Sequence, residues 1–313
     1  MKIIKAVAPY THPSSINFKT AAYEAWIKVG GETANSHYPV RALHGFAFRY
    51  DLPAIIKNNK EARLRFVEPV SILFDTFPDY ARYEIIPFVW DCWPDMFEQT
   101  CQWFVRHDVR TAIFTSSQTA ELMRRRFPRM NILTVTEGID TSVYHAGKEL
   151  KDRNIDLLEF GRSNKRIFKV ELPNSINHVC TNVNGHYIFS NEQLFRAMED
   201  ARITVCLPRC DTQPEKAGNI ETLTQRYWEA MLSRMIMFGR APKELTDLIG
   251  YNPVVDLDAE NVGEQIVDIL AHIDEYQPLV DRNRETALRM ADWTLRMTDV
   301  MKFLGECGYV VNK

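Results

Sequence analysis

The segment Glu215–Met231 gathers residues that suit a phosphorylated, hydroxyl-rich ligand. Glu221 and Glu229 are seven residues apart, but Glu24 and Glu32 share that spacing, so spacing alone carries nothing. Context gives it meaning. Glu221 sits in a loop containing Gly218, which supplies a flexible turn. Thr222-x-x-Gln225 is a capping-box pattern, which predicts a helix start there and places Glu229 about two turns in. A loop and first turn of this kind expose free backbone N–H groups and a partial positive charge. That suits a diphosphate and contributes about 0.3–1 kcal/mol from the helix dipole. Flanking carboxylates suit ribose and sugar hydroxyls; the plainer reading is a surface helix with ordinary glutamates.

Three other segments bear chemistry-capable groups. Trp90-Asp91-Cys92-Trp93-Pro94 reads either as exposed aromatics beside a carboxylate, fit for a sugar ring, or as a core cluster with a capping Asp91. His12 follows the first strand and is either a cleft residue or a structural one. Arg124, Arg125, Arg126 and Arg129 form a basic cluster. Near an anionic membrane each such charge adds about 1 kcal/mol, and at a helix C-terminus the dipole favours them equally well.

Short apolar strands alternating with helical patterns must place these groups. Strands are expected at Lys2–Pro9, Ile85–Trp90, Ala112–Thr115 and Ile132–Thr136, with helices at 18–29, 96–105 and 118–126. Residues 35–82 show no sustained period. The polar stretch 139–154 reads as a linker. A second alternation follows, with strands at 156–160, 203–207, 235–239 and 253–257 and helices at 194–200, 226–233, 242–249 and 262–272. One long helical pattern over 282–305 closes the chain. The fold class is therefore α/β, with two Rossmann-like doubly wound domains over residues 1–143 and 154–283 and a terminal helix in 284–313 crossing back to the first. In such sheets ligands bind outside the carboxyl ends of the strands.

Composition sets the outer bounds. Of 313 residues, 45% are apolar and 25% charged, which leaves material for real cores. The net charge of −3 provides no field for bulk nucleic-acid binding. No apolar run reaches the roughly 20 residues of a membrane span. The scattered cysteines (no Cys-x-x-Cys pair) disfavour disulfides and zinc, and with no signal-peptide pattern the expected location is the cytoplasm.

Four segments, taken in order, carry a family resemblance. Phe114-Thr115-Ser116-Ser117-Gln118 resembles the small-residue strand end before the last helix of a first domain. Thr136-Glu137-Gly138-Ile139-Asp140, running to Tyr144, resembles an Asn-Gly-Val-Asp-x-x-x-Phe turn. Leu157-Leu158-Glu159-Phe160-Gly161-Arg162 resembles the strand-Gly-Arg that opens a donor domain. Glu221-x7-Glu229 with Ala230-Met231 and Arg240-Ala241-Pro242 resembles a donor-site signature. Together, from Ala112 to Asp258, they resemble retaining nucleotide-sugar glycosyltransferases of the glycosyltransferase B fold, the family 4-like group that includes sucrose synthases and mannosyltransferases.

The resemblance implies an active site in the cleft between the two domains. There Glu229 would bind ribose hydroxyls, Glu221 the transferred sugar and Arg162 the diphosphate, with Asp91 as a candidate donor-sugar contact. Ile167 stands where the family has a Lys, so Lys165 or Arg166 would supply the second cation. Thr222, Leu223 and Thr224 replace the family's Gly-Phe-Gly. The implied chemistry is transfer from a UDP- or GDP-linked sugar, with retention and without metal or other cofactor. The implied acceptor is a glycan or lipid-linked glycan of surface polysaccharide synthesis, with peripheral contact at the inner face of the membrane. The departures leave two alternatives: a nucleotide- or glycan-binding subunit that has lost turnover, and a sugar-nucleotide epimerase.

Overall fold

In the computed structural model the described residues are 1–9, 18–35, 58–161, 172–183 and 186–311. Contacts divide them into two units. The first comprises Met1–Glu137, Glu215–Thr222 and Trp293–Lys313; the second comprises Gly138–Pro214 and Leu223–Asp292.

The first unit is built on a six-stranded parallel sheet. Its strands are β1 (Ile3–Val7), β2 (Thr33–Ala34), β3 (Glu61–Val67), β4 (Glu84–Val89), β5 (Thr111–Phe114) and β6 (Asn131–Thr134), in the spatial order β2-β1-β3-β4-β5-β6. Side chains alternate between two cores, as the two-residue strand period requires. Ile86, Phe88 and Trp90 join the helices Phe18–Lys28 and Trp293–Glu306 on one face. Ile85 and Val89 join the helices Pro94–Arg106 and Ser117–Arg126 on the other.

β3 lies in the region where the sequence shows no period. Glu-Ala-Arg-Leu-Arg-Phe-Val buries two arginines, at 6% and 2% exposure, which breaks the apolar pattern. Arg65 is neutralised by Asp79 at 2.9 Å and donates to the Asp75 carbonyl. Arg63 pairs with Glu61 at 2.8 Å and lies over the Tyr83 ring.

The second unit carries β7 (Ile155–Glu159), β8 (His178–Cys180), a small hairpin β9 (Asn182–Val183) and β10 (His186–Tyr187), then β11 (Ala201–Cys206), β12 (Ile236–Gly239) and β13 (Val254–Asp256). Its parallel sheet has the order β13-β12-β11-β7-β8. Again the faces alternate: Leu158 and Met237 enter one core, Leu157, Ile203, Val205, Ile236 and Phe238 the other.

Two expectations are corrected. The stretch 139–154 is no open linker: Tyr144, Leu150 and Arg153 are buried in the second unit. Arg153 is tolerated there because it donates to the carbonyls of Ala146, Lys148 and Ala201; burial holds its pKa down at about 10. The long pattern 282–305 is two helices, Gln277–Met290 and Trp293–Glu306, separated at Ala291-Asp292. The first buries Val280 and Ala287 in the second unit, and the second buries Trp293, Met297, Val300 and Leu304 in the first.

Candidate functional site

In the second unit, β7 and β11 are neighbours from which the chain winds in opposite directions across the sheet. The carboxyl ends of such a pair form the crevice where doubly wound sheets bind ligands. The helix Gln225–Leu232 brings Glu229 into this unit. Tyr227, Trp228, Ala230, Met231 and Leu232 around it are fully buried, so the carboxylate is set in an apolar element. Glu229 is itself buried, with 9% exposure.

Tyr144 holds it. The phenol donates to Glu229 Oε1 at 3.0 Å, while Oε2 has no hydrogen-bond partner among the described residues. Burial pushes the Glu229 carboxyl above the ordinary glutamate value, opposed by the Tyr144 hydrogen bond and by the charge of Arg226. Tyr144 follows the turn Thr141–Val143, whose Asp140 carboxylate accepts from the backbone N–H and hydroxyl of Ser142 at 3.0 and 2.6 Å. Sequence reading had the motif ending at Tyr144 but not the partnership, which spans 85 residues of chain.

The segment before the helix departs from expectation. The capping box Thr222-x-x-Gln225 does not form. The helix starts at Gln225 with Thr224 as an N-cap that makes no side-chain bond, so Glu229 lies about one turn in. Gln225 Nε2 donates instead to the Gly138 carbonyl at 2.9 Å. Leu223, expected at the phosphate, is fully buried in the core, and its N–H donates to Glu244 Oε2 at 2.8 Å.

In the first unit, Asp91, Gly218, Glu221 and Thr222 are placed by the ends of β4 and β5. Asp91 follows β4 and takes a left-handed φ of 49°, a conformation that costs a non-glycine residue on the order of 1 kcal/mol. The flanking aromatics are core, not a sugar platform. Trp90 is 1% and Trp93 6% exposed, and Trp90 stacks on Phe88 with centroids 4.4 Å apart. Gly218 has φ 55°, and a Cβ there would come within 3.3 Å of Pro94, the residue that begins the helix after Asp91. Glu221 is half-buried, and its N–H donates to Gln118 Oε1 at 2.9 Å. Gln118 closes the Phe114–Gln118 motif, so that motif anchors the Glu221 backbone. Thr222 is buried.

Arg162, Lys165, Arg166 and His12 lie outside the described residues. In the basic cluster, Arg124 and Arg125 face Glu121, Arg126 faces Glu98 at 4.0 Å, and Arg124 also donates to the Ile132 carbonyl. Asp256-Leu257-Asp258 has the spacing of a metal-binding pair, but Asp258 accepts from Asn261 and the Glu260 N–H, and Asp256 from Asn252. Among the described residues no group of three His, Cys, Asp or Glu is placed to hold a metal ion.

No protein-family model matches the sequence, and no curated protein matches it significantly. Solved structures do match. The chain is similar to HepE from Anabaena, solved with UDP and glucose, at 9% identity and a TM-score of 0.61, over 98% of this chain and 100% of that one. It is similar to sucrose-phosphate synthase from Thermosynechococcus elongatus at 13% identity and a TM-score of 0.58, over 98% and 100% of the two chains. To TarM of S. aureus the figures are 10% and 0.52, over 77% of this chain but 54% of that one. At such identities the likeness establishes fold: two parallel-sheet α/β domains of the glycosyltransferase B type.

Proposed function

We propose that the protein is a glycosyltransferase that moves a sugar from a UDP- or GDP-linked donor to an acceptor hydroxyl, with retention and without a metal. The observation that carries this reading is Glu229. A buried carboxylate in a doubly wound unit, with one oxygen held by Tyr144 and the other without a hydrogen-bond partner among the described residues, suits a pair of ribose hydroxyls. The fold shared with HepE, whose structure holds UDP and glucose, supports the same assignment.

Glu221, fixed through its backbone by Gln118, is proposed to bind hydroxyls of the transferred sugar, and Asp91 to contact the same sugar. Arg162, with Lys165 or Arg166, is assigned to the diphosphate. In the transfer the bond between the anomeric carbon and the leaving phosphate breaks. A bond from the acceptor oxygen forms on the same face, and the acceptor proton passes to a phosphate oxygen. The protein contributes positioning and stabilisation of leaving-group charge. The acceptor is proposed to be a glycan or a lipid-linked glycan of surface polysaccharide synthesis, acted on in the cytoplasm. Arg125, Arg126 and Arg129 are proposed to contact the inner face of the membrane.

One observation favours a second reading: the Leu223 N–H is taken up by Glu244, which removes a phosphate donor. That suits a binding subunit without turnover. The two are separated by incubating UDP- and GDP-sugars with an acceptor panel and following free nucleoside diphosphate and product anomers by NMR. A transferase releases diphosphate and yields a retained product. Its Glu221→Gln variant loses about a hundredfold in rate while nucleotide affinity stays within about twofold. Nucleotide binding with no release over the panel assigns the chain as a binding subunit.

A further inference from the structure

We infer that Arg226 is a further residue of the second unit that binds the diphosphate of the donor, a role that no motif in the sequence assigns to it. The inference rests on the nucleotide-sugar reading above and deepens it.

Arg226 is the second residue of the helix that carries Glu229. Its guanidinium lies 5.6 Å from the centre of the Phe160 ring, just past the end of β7. It also fills the space where a side chain on Gly161 would begin: a Cβ there would meet the guanidinium nitrogen at 2.4 Å. The backbone of Gly161 has φ 75°, a left-handed conformation that favours glycine, and a side chain there would displace the guanidinium from this position. The charge of Arg226 is felt at Cys206, the last residue of β11, and at Glu229. The approach to Phe160 and Gly161 places the guanidinium at the carboxyl end of β7, which with its neighbour β11 defines the crevice of this sheet.

Among the described residues no carboxylate lies within salt-bridge distance of Arg226, although it is half-buried and the ring of Phe160 shields one side. A ring face contributes only about 0.5–1 kcal/mol to a cation at such a site. A partly desolvated charge without a counter-ion is unfavourable for the fold, and such groups gather where a ligand completes them. Glu229 does not complete it: its hydrogen bond goes to Tyr144. The planar fork of a guanidinium matches phosphate oxygens in pairs. With Glu229 one turn along the same helix, Arg226 and Glu229 present a cation and a carboxylate with the sign order of a diphosphate followed by a ribose. Gly161 is thus explained as the residue that makes room for this cation, and Arg226 supplies charge on the element where Leu223 no longer offers an N–H.

The test is a phosphate ladder. Uridine, UMP and UDP, with the guanosine series in parallel, are titrated calorimetrically into the wild type, Arg226→Gln and Arg226→Lys. Melting curves confirm that each variant is folded. The expected result is that Arg226→Gln weakens the diphosphate by about tenfold to a hundredfold, the worth of a charge-assisted hydrogen bond. The nucleoside is unaffected and Arg226→Lys falls between. Equal diphosphate affinity in Arg226→Gln and wild type, or an equal loss for nucleoside and diphosphate, overturns the inference and leaves the nucleotide-sugar reading standing. If wild type binds no member of either series, the nucleotide-sugar reading fails, and the inference with it.

Discussion

At the scale of residues, the account turns on how one carboxylate is kept usable inside an apolar helix. Glu229 is stabilised by a phenol rather than by a cation in contact, so its ionisation is easily lost. Because burial raises its pKa, the native chain holds this proton at pH values where the unfolded chain has released it. The contribution of the group to stability therefore declines as pH rises from the ordinary value of 4.5 through the raised native one. Ligand binding has the opposite sign. Accepting two ribose hydroxyls requires the ionised form, so nucleotide affinity falls as pH drops through the native pKa. Tyr144→Phe removes one of the influences that lower that pKa and leaves Oε1 unpaired. Affinity at neutral pH is expected to drop by about threefold to tenfold, and the midpoint of the pH profile to move upward. Glu229→Gln is expected to give a flat profile. Titrations across about pH 5 to 8 test this; a Tyr144→Phe profile superimposing on wild type contradicts it.

At the scale of elements, the chain shows what pattern reading captures and where it stops. Most central strands are continuous apolar runs and were legible, as was the loop-helix segment bearing Glu221 and Glu229. β3 was hidden because Arg63 and Arg65 interrupt the run, and only their partners make the burial tolerable. The break at Ala291-Asp292 was hidden because no Gly or Pro marks it and the helical period continues across it. Tyr144 and Arg226 were missed for a related reason: a tyrosine's phenol partner and the ring beside an arginine appear only in three dimensions. Charged composition likewise disguised 139–154, where Arg153 ties the entry to the second unit through three carbonyls. Arg153→Met leaves them without that donor and is expected to destabilise the protein by about 2–4 kcal/mol, seen as a lower denaturant midpoint at unchanged slope. A change below about 0.5 kcal/mol would show that the segment is held by its apolar residues alone.

At the scale of the whole molecule, two doubly wound units are interleaved along the chain. Residues Glu215–Thr222 and Trp293–Lys313 belong to the first unit, though each is bordered in sequence by the second. The unit boundary at Thr222/Leu223 falls between the two glutamates, so Glu221 is fixed by the first unit and Glu229 by the second. No helix among the described residues is long and apolar enough to cross a membrane. The central claim is that Glu229 anchors a nucleotide, and calorimetric titration with UDP, GDP and ADP in the absence of divalent metal tests it most directly. The account predicts saturable binding of one of the three by the wild type and its loss in a folded Glu229→Gln variant. Binding of none of them, or binding that survives in Glu229→Gln at wild-type affinity, would contradict it.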